Sequence, residues 1–228
     1  MTKLMIGVEG FDRRFGGVYS GRTALVCGPD GAGKSTLALS FLHTGLGDGE
    51  PGLLLAEDTP ETVIRRGLEW GVDVERAVDG GLLTVLNYPE YSPDLRSSTY
   101  ANLPSDSFEA LRQVIEEQKI RRLALDTVLP WVQIADADLA ARVTFSLVRA
   151  IDKLGVTTLL TIPFPDSDPA RELRRIIECN VPCALEILRP SPASDLALRD
   201  GRSIVTRKYL GAATVGEPIE WEHPGAVR

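Results

Sequence analysis

Apolar and polar residues along the 228-residue chain alternate between two periods. Short apolar runs at Arg22–Cys27, Gly52–Ala56, Arg121–Asp126 and Val156–Thr161 have the length of buried strands, and Leu82–Asn87 reads as a further short one. Between them the period lengthens to that of a helix. Ser35–Leu46 sets Leu37, Leu39, Phe41, Leu42 and Leu46 on a helical face, and Asp138–Leu154 does the same with Val143, Leu147, Val148 and Ile151. Thr59 followed by Pro60 marks a helix start, with threonine as N-cap and proline at the first position. Asp106 with Glu109 predicts a capping pair for the helix that carries Phe108, Leu111, Val114 and Ile115, and Asp168 predicts a cap for Pro169–Glu178.

Strand–helix alternation over most of the chain predicts an α/β fold: a mostly parallel central sheet flanked by helices. The last third changes character. Cys183–Leu188, Ser203–Lys208 and Ile219–Trp221 read as three strands with no helix between them, which predicts antiparallel strands added to the sheet. Tyr88–Pro104, rich in Pro, Ser, Asn and Tyr, reads as a long surface loop. There is no internal repeat and no second phosphate-loop pattern, so residues 1–228 are read as one domain.

The chemistry begins where the first strand ends. Residues 28 to 36 read Gly-Pro-Asp-Gly-Ala-Gly-Lys-Ser-Thr, a complete G-x-x-x-x-G-K-[ST] loop between a predicted strand and a predicted helix. Gly28, Gly31 and Gly33 permit close approaches and torsions that let the N–H groups of Asp30, Gly31, Ala32, Gly33, Lys34, Ser35 and Thr36 turn toward phosphate oxygens. The helix N-terminus adds partial positive charge. Lys34 can reach the β- and γ-phosphates of a nucleoside triphosphate, and the Ser35 hydroxyl can ligate Mg²⁺. The loop leaves the choice between ATP and GTP open.

Triphosphate hydrolysis further needs a metal holder, a water activator and positive charge on the γ-phosphate. Asp126 ends an apolar strand at the sheet edge where ligands of open α/β sheets sit, so it is the candidate partner of Ser35 on Mg²⁺; the competing reading is a helix cap. Glu57 and Asp58 follow the Gly52–Ala56 strand. Glu57 is the candidate base toward a lytic water, with Asp58 either supporting it or capping the next helix. Thr161 is placed to hydrogen-bond the γ-phosphate or the attacking water. Lys208, near the end of a late strand, is either a surface charge or a cation offered to a neighbouring subunit.

Composition narrows the classes. A net charge of −7 argues against nonspecific binding to a polyanion. Of three cysteines, Cys27 is expected in the core, and Cys179 with Cys183 has an x₃ spacing without nearby histidine, read as structural rather than metal-binding. No signal-peptide pattern and no membrane-length apolar run occur, which points to a cytoplasmic protein without a membrane partner.

Taken together, these residues resemble the KaiC-type ATPases of the RecA superfamily over nearly the whole chain. The resemblance rests on Gly7-Val-Glu-Gly-Phe-Asp12, Gly16-Gly17 and Gly21-Arg22 ahead of the loop, Gly49-Glu-Pro-Gly52, Glu57-Asp58-Thr59-Pro60, Gly71-Val-Asp73 with Val78-Asp-Gly-Gly-Leu-Leu83-like spacing, and Arg121-Arg-Leu-Ala-Leu-Asp-Thr127. It implies a RecA-like core, ATP with Mg²⁺ as cofactors, and nucleotide sites at the subunit interfaces of a homo-oligomeric ring, commonly a hexamer. It also implies Glu57 as catalytic glutamate, Asp58 in place of the family's second glutamate, and Lys208 as a cation acting in trans. The family's K-x-R-G motif here reads Lys208-Tyr-Leu-Gly211, with Leu210 at the arginine. Such a guanidinium can be worth ~10³-fold, so its loss predicts slow hydrolysis. Ile162-Pro163 replaces an expected threonine–glutamate, and Glu178-Cys179 stands where the family's clock members carry paired phosphorylation sites, so autokinase activity is not implied; the clock members have two such cores where one is read here, so circadian timing is not implied either. The expected function is slow ATP hydrolysis whose nucleotide state sets oligomer or regulatory-partner contacts. A nucleotide-binding scaffold with negligible turnover is the alternative, and a recombinase-like DNA-binding ATPase the least favoured.

Overall fold

The computed structural model describes residues 2–88, 105–132, 137–189, 202–212 and 216–221. Ten strands are seen among them: β1 (Lys3–Leu4), β2 (Val18–Tyr19), β3 (Thr23–Gly28), β4 (Gly52–Ala56), β5 (Leu83–Asn87), β6 (Arg122–Asp126), β7 (Thr157–Pro163), β8 (Cys183–Leu188), β9 (Arg202–Tyr209) and β10 (Pro218–Trp221). The helices are α1 (Glu9–Phe15), α2 (Lys34–Gly47), α3 (Pro60–Glu69), α4 (Val74–Asp79), α5 (Ser105–Glu117), α6 (Leu129–Val132), α7 (Ala137–Lys153) and α8 (Asp168–Asn180). An eight-stranded sheet runs in the order β10-β9-β8-β3-β7-β6-β4-β5, and β1 pairs with β2 in a small antiparallel ribbon.

Six strands, β8-β3-β7-β6-β4-β5, are parallel, and β9 and β10 are added antiparallel. This is the mixed α/β arrangement of a RecA-like core. The expected antiparallel trio needs one correction: β8 pairs parallel with β3, because α8 precedes it and returns the chain in a crossover. Side chains of each central strand alternate between two cores. Ala24, Val26, Leu54, Ala124 and Leu159 pack under α2, while Leu25, Cys27, Leu53, Leu123 and Leu160 face the side of α5, α7 and α8.

Helix α2 is buried nearly all round, with Leu37, Leu39, Phe41 and Leu42 all within the same core. The segment Ile6–Phe15 covers its outer side, which explains why its apolar residues are not confined to one face. That cover is pinned by Asp12, whose carboxylate accepts N–H bonds from Ile6, Gly7 and Val8 at 3.0, 2.9 and 3.1 Å. Burial pushes the Asp12 carboxyl above its ordinary range, and these donors only partly offset it. Arg122 is fully buried beneath α2. It pairs with Glu50 at 2.6 Å, donates to the carbonyls of Met5 and Phe41 at 2.6 and 2.9 Å, and takes the space a Cβ on Gly45 would need.

Three local expectations change. Ser167, not Asp168, caps α8, its hydroxyl accepting from the Ala170 N–H at 3.4 Å; the Pro at the second position fits one residue earlier than predicted. Glu109 is not half of a capping box, since α5 starts at Ser105 and Glu109 pairs with Arg112 one turn on. Tyr88 is buried against the second core rather than in a surface loop, and residues 89–104 lie outside the described residues. Thr59 caps α3 with Pro60 at its first position, as expected.

Candidate functional site

Parallel pairing brings the carboxyl ends of β3, β7, β6 and β4 to one edge, and the candidate groups gather there. The loop between β3 and α2 turns through Gly31 at φ 69° and Gly33 at φ 105°, torsions that a side chain resists. Gly28 instead provides room: a Cβ there would meet the Ile187 carbonyl of β8 at 3.0 Å. The Trp221 indole packs over Gly33, where a Cβ would come within 3.3 Å of its ring. Ala32 and Thr36 are buried, which anchors the loop to the start of α2. The Lys34 ammonium donates to the carbonyls of Gly28 and Pro29 at 2.9 and 3.0 Å and stands 3.7 Å from the exposed Asp30 carboxylate.

Asp126, at the end of β6, accepts a 2.7 Å bond from the Thr161 hydroxyl through Oδ1. Thr161 lies on β7, between β3 and β6, and is fully buried, and its hydroxyl holds the Asp126 carboxylate from the side. Thr127 donates to the Thr161 carbonyl at 2.7 Å and ties the same two strand ends. Oδ2 of Asp126 and the Ser35 hydroxyl have no partner among the described residues. Both are hard oxygen donors, the chemistry Mg²⁺ takes, so the residues fit that ion.

Glu57 and Asp58 differ. The Glu57 N–H donates to the Asp126 carbonyl at 3.3 Å, which sets the two strand ends side by side. Its carboxylate is exposed and unpartnered among the described residues. Asp58 is paired with Arg66, two turns into α3, and Thr59 rather than Asp58 caps that helix. Asn87 of β5 donates to both the Glu57 and Asp58 carbonyls at 3.1 and 3.0 Å and so braces their turn.

Lys208 is not brought to this edge. It lies opposite Ala184 on the antiparallel β9, toward the amino end of β3, and donates to the carbonyls of Glu178 and Cys179 at the end of α8 at 2.6 and 3.0 Å. Burial pushes the Cys27 thiol up to about 11 and the Cys183 thiol to about 12, while Cys179 is exposed. Among the described residues no group of three His, Cys, Asp or Glu could hold a metal, and no helix is long and apolar enough to cross a membrane.

Sequence reasoning missed Asn87, Arg66 and Arg189 as neighbours of the site. Arg66 had a readable signal, since it falls on the face of α3 that looks back to Asp58. Asn87 ends β5 and Arg189 follows β8, and only the sheet order reveals them.

The sheet and the phosphate loop at its edge have the form of a RecA-like nucleotide-binding core. A family model described as "ATPase: KaiC" matches residues 4–212. The chain belongs to the KaiC ATPase family. It is similar to the circadian clock oscillator protein KaiC of Prochlorococcus marinus (strain MIT 9313), 33% identical over 167 residues that make up 71% of this chain and 33% of the relative. The same protein from Synechococcus elongatus is 32% identical over 71% of this chain and 32% of the relative. That of Thermostichus vulcanus is 33% identical over the same shares. The chain thus spans about a third of the length of the curated relatives it matches.

Proposed function

We propose that this chain is a Mg²⁺-dependent ATPase of slow turnover, residues 1–228 acting as a single KaiC-type domain whose nucleotide state sets its oligomeric or partner contacts. One observation carries the reading: the Glu57 N–H meets the Asp126 carbonyl, so an exposed glutamate with no side-chain partner among the described residues follows the strand next to the one that ends in Asp126. In this reading the loop amides from Asp30 to Thr36 and the Lys34 ammonium bind the triphosphate. Lys34 exchanges its carbonyl partners for phosphate oxygens, a stronger charge-assisted pairing. Ser35 and Asp126 would hold magnesium, which supplies charge neutralisation on the phosphate oxygens. Thr161 keeps Asp126 aimed, and Glu57 takes the proton of the attacking water. Asp58, paired with Arg66, holds the turn that carries Glu57.

Lys208 lies away from its own chain's loop, so a role toward nucleotide requires a second copy of the chain. The proposed assembly is a homo-oligomeric ring, with six subunits as the family's usual count, in which Lys208 would act on a neighbouring subunit's nucleotide. Leu210, 54% exposed, puts an apolar side chain where the family motif has a guanidinium, which supports slow turnover. Phosphate release tests the reading: it is expected from the wild type and abolished by Lys34→Ala, with Glu57→Gln still binding ATP. A second reading, a nucleotide-binding regulatory subunit, is favoured by Leu210 and Pro163. Tight ATP binding with phosphate release no faster than that of Lys34→Ala would establish it. Salt-sensitive binding of single-stranded DNA would instead revive a recombinase-like role.

A further inference from the structure

The parallel register of β8 against β3 sets Ile187 beside Gly28 and carries the next residues past the sheet edge along the phosphate loop. There the Arg189 guanidinium donates from Nη2 to the carbonyl of Asp30, and the same atom lies 2.7 Å from where a Cβ on Gly31 would stand. The other arginines near α8 are committed to acids: Arg174 and Arg207 hold Glu186, and Arg174 also meets Glu178. Arg189 has no carboxylate partner among the described residues and spends its donor on a backbone carbonyl of the loop.

That carbonyl belongs to the same planar peptide as the Gly31 N–H, and across a trans peptide the two groups point in opposite directions. A peptide followed by glycine can rotate as a unit at low steric cost, because glycine accepts φ of either sign. The Asp30–Gly31 peptide therefore has two accessible orientations, and only one of them turns the Gly31 N–H away from Arg189.

We propose that Arg189 is a positioning residue for nucleotide binding: by holding the Asp30 carbonyl it fixes the Gly31 N–H as a phosphate donor. The inference rests on the proposed binding of ATP at this loop. Binding then no longer bears the cost of selecting one peptide orientation from two, and one charge-assisted hydrogen bond is ready in advance.

Calorimetric titration with ATP and Mg²⁺, in a Glu57→Gln background expected to slow turnover, tests it. Arg189→Met is expected to weaken ATP binding about tenfold, the scale of one hydrogen bond to a charged group. Arg189→Lys, which keeps a donor of similar reach, is expected to recover affinity to within about threefold. Thermal midpoints of both variants should match the parent, since Arg189 is exposed, and in the Glu57 wild type KM for ATP should rise with kcat little changed. Arg189→Met binding as tightly as the parent, or Arg189→Lys failing to recover, overturns the assignment. A parent that binds no ATP would instead defeat the functional reading itself, so the two failures are separable.

Discussion

Two sets of charged groups in this protein are built on opposite plans. On the faces of the sheet, charges are saturated. Glu186 is buried and receives Arg174 at 2.7 Å and Arg207 at 3.0 Å, and Arg122 spends its donors on Glu50, Met5 and Phe41. At the carboxyl edge of the parallel strands, the Glu57 carboxylate, one oxygen of Asp126 and the Ser35 hydroxyl keep unused capacity among the described residues. Buried charges persist only when every partner is supplied, whereas ligand chemistry needs groups held in place by their backbone and left open at their tips. The contrast separates acids that hold the fold from acids left open at the sheet edge, the ones proposed to act on a ligand.

The largest effect should come from the open edge. Glu57→Gln is expected to cut phosphate release by about 10²-fold or more, the scale of a lost general base, with ATP affinity kept. Retained turnover would erase the distinction between Glu57 and its neighbours. On the saturated side, Arg122→Ala should destabilise the protein by about 3–5 kcal/mol in urea unfolding, because a desolvated network loses its centre. A change under 1 kcal/mol would mean that the network is not cooperative.

The pH response should be smaller and has a definite sign. Burial pushes the Glu186 carboxyl up, but the Arg207 and Arg174 guanidiniums outweigh it and hold the group below the ordinary glutamate range. A lowered native pKa gives stability that is present above the ordinary range and is lost as pH falls through the native value. Urea midpoints of the wild type should therefore drop at acid pH, and Glu186→Gln should lose part of that dependence while being less stable at neutral pH. Arg66→Ala should do least. It breaks a half-exposed ion pair worth under about 1 kcal/mol, and turnover should fall less than in Glu57→Gln.

Much of this was legible in the sequence because the signals are local. The loop residues, the Thr59–Pro60 helix start and the strand ending in Asp126 each announce themselves within a few positions. The Ile6–Phe15 cover was not read as structure, because its helix spans only seven residues and its anchor, Asp12 to the backbone of residues 6 to 8, has no periodic signature. From its strand-end position Thr161 reads as a partner of the γ-phosphate or the attacking water. Its bond to Asp126 depends on β7 lying beside β6, and sheet order cannot be read from a run of apolar residues. The same reason hid Asn87 and Arg189.

The most direct test of the central claim is calorimetric titration of the full chain with ATP and Mg²⁺, run beside Lys34→Ala. A saturable binding isotherm that disappears in the lysine variant is predicted. No heat of binding from folded wild-type protein, or an isotherm that the variant leaves unchanged, would contradict it.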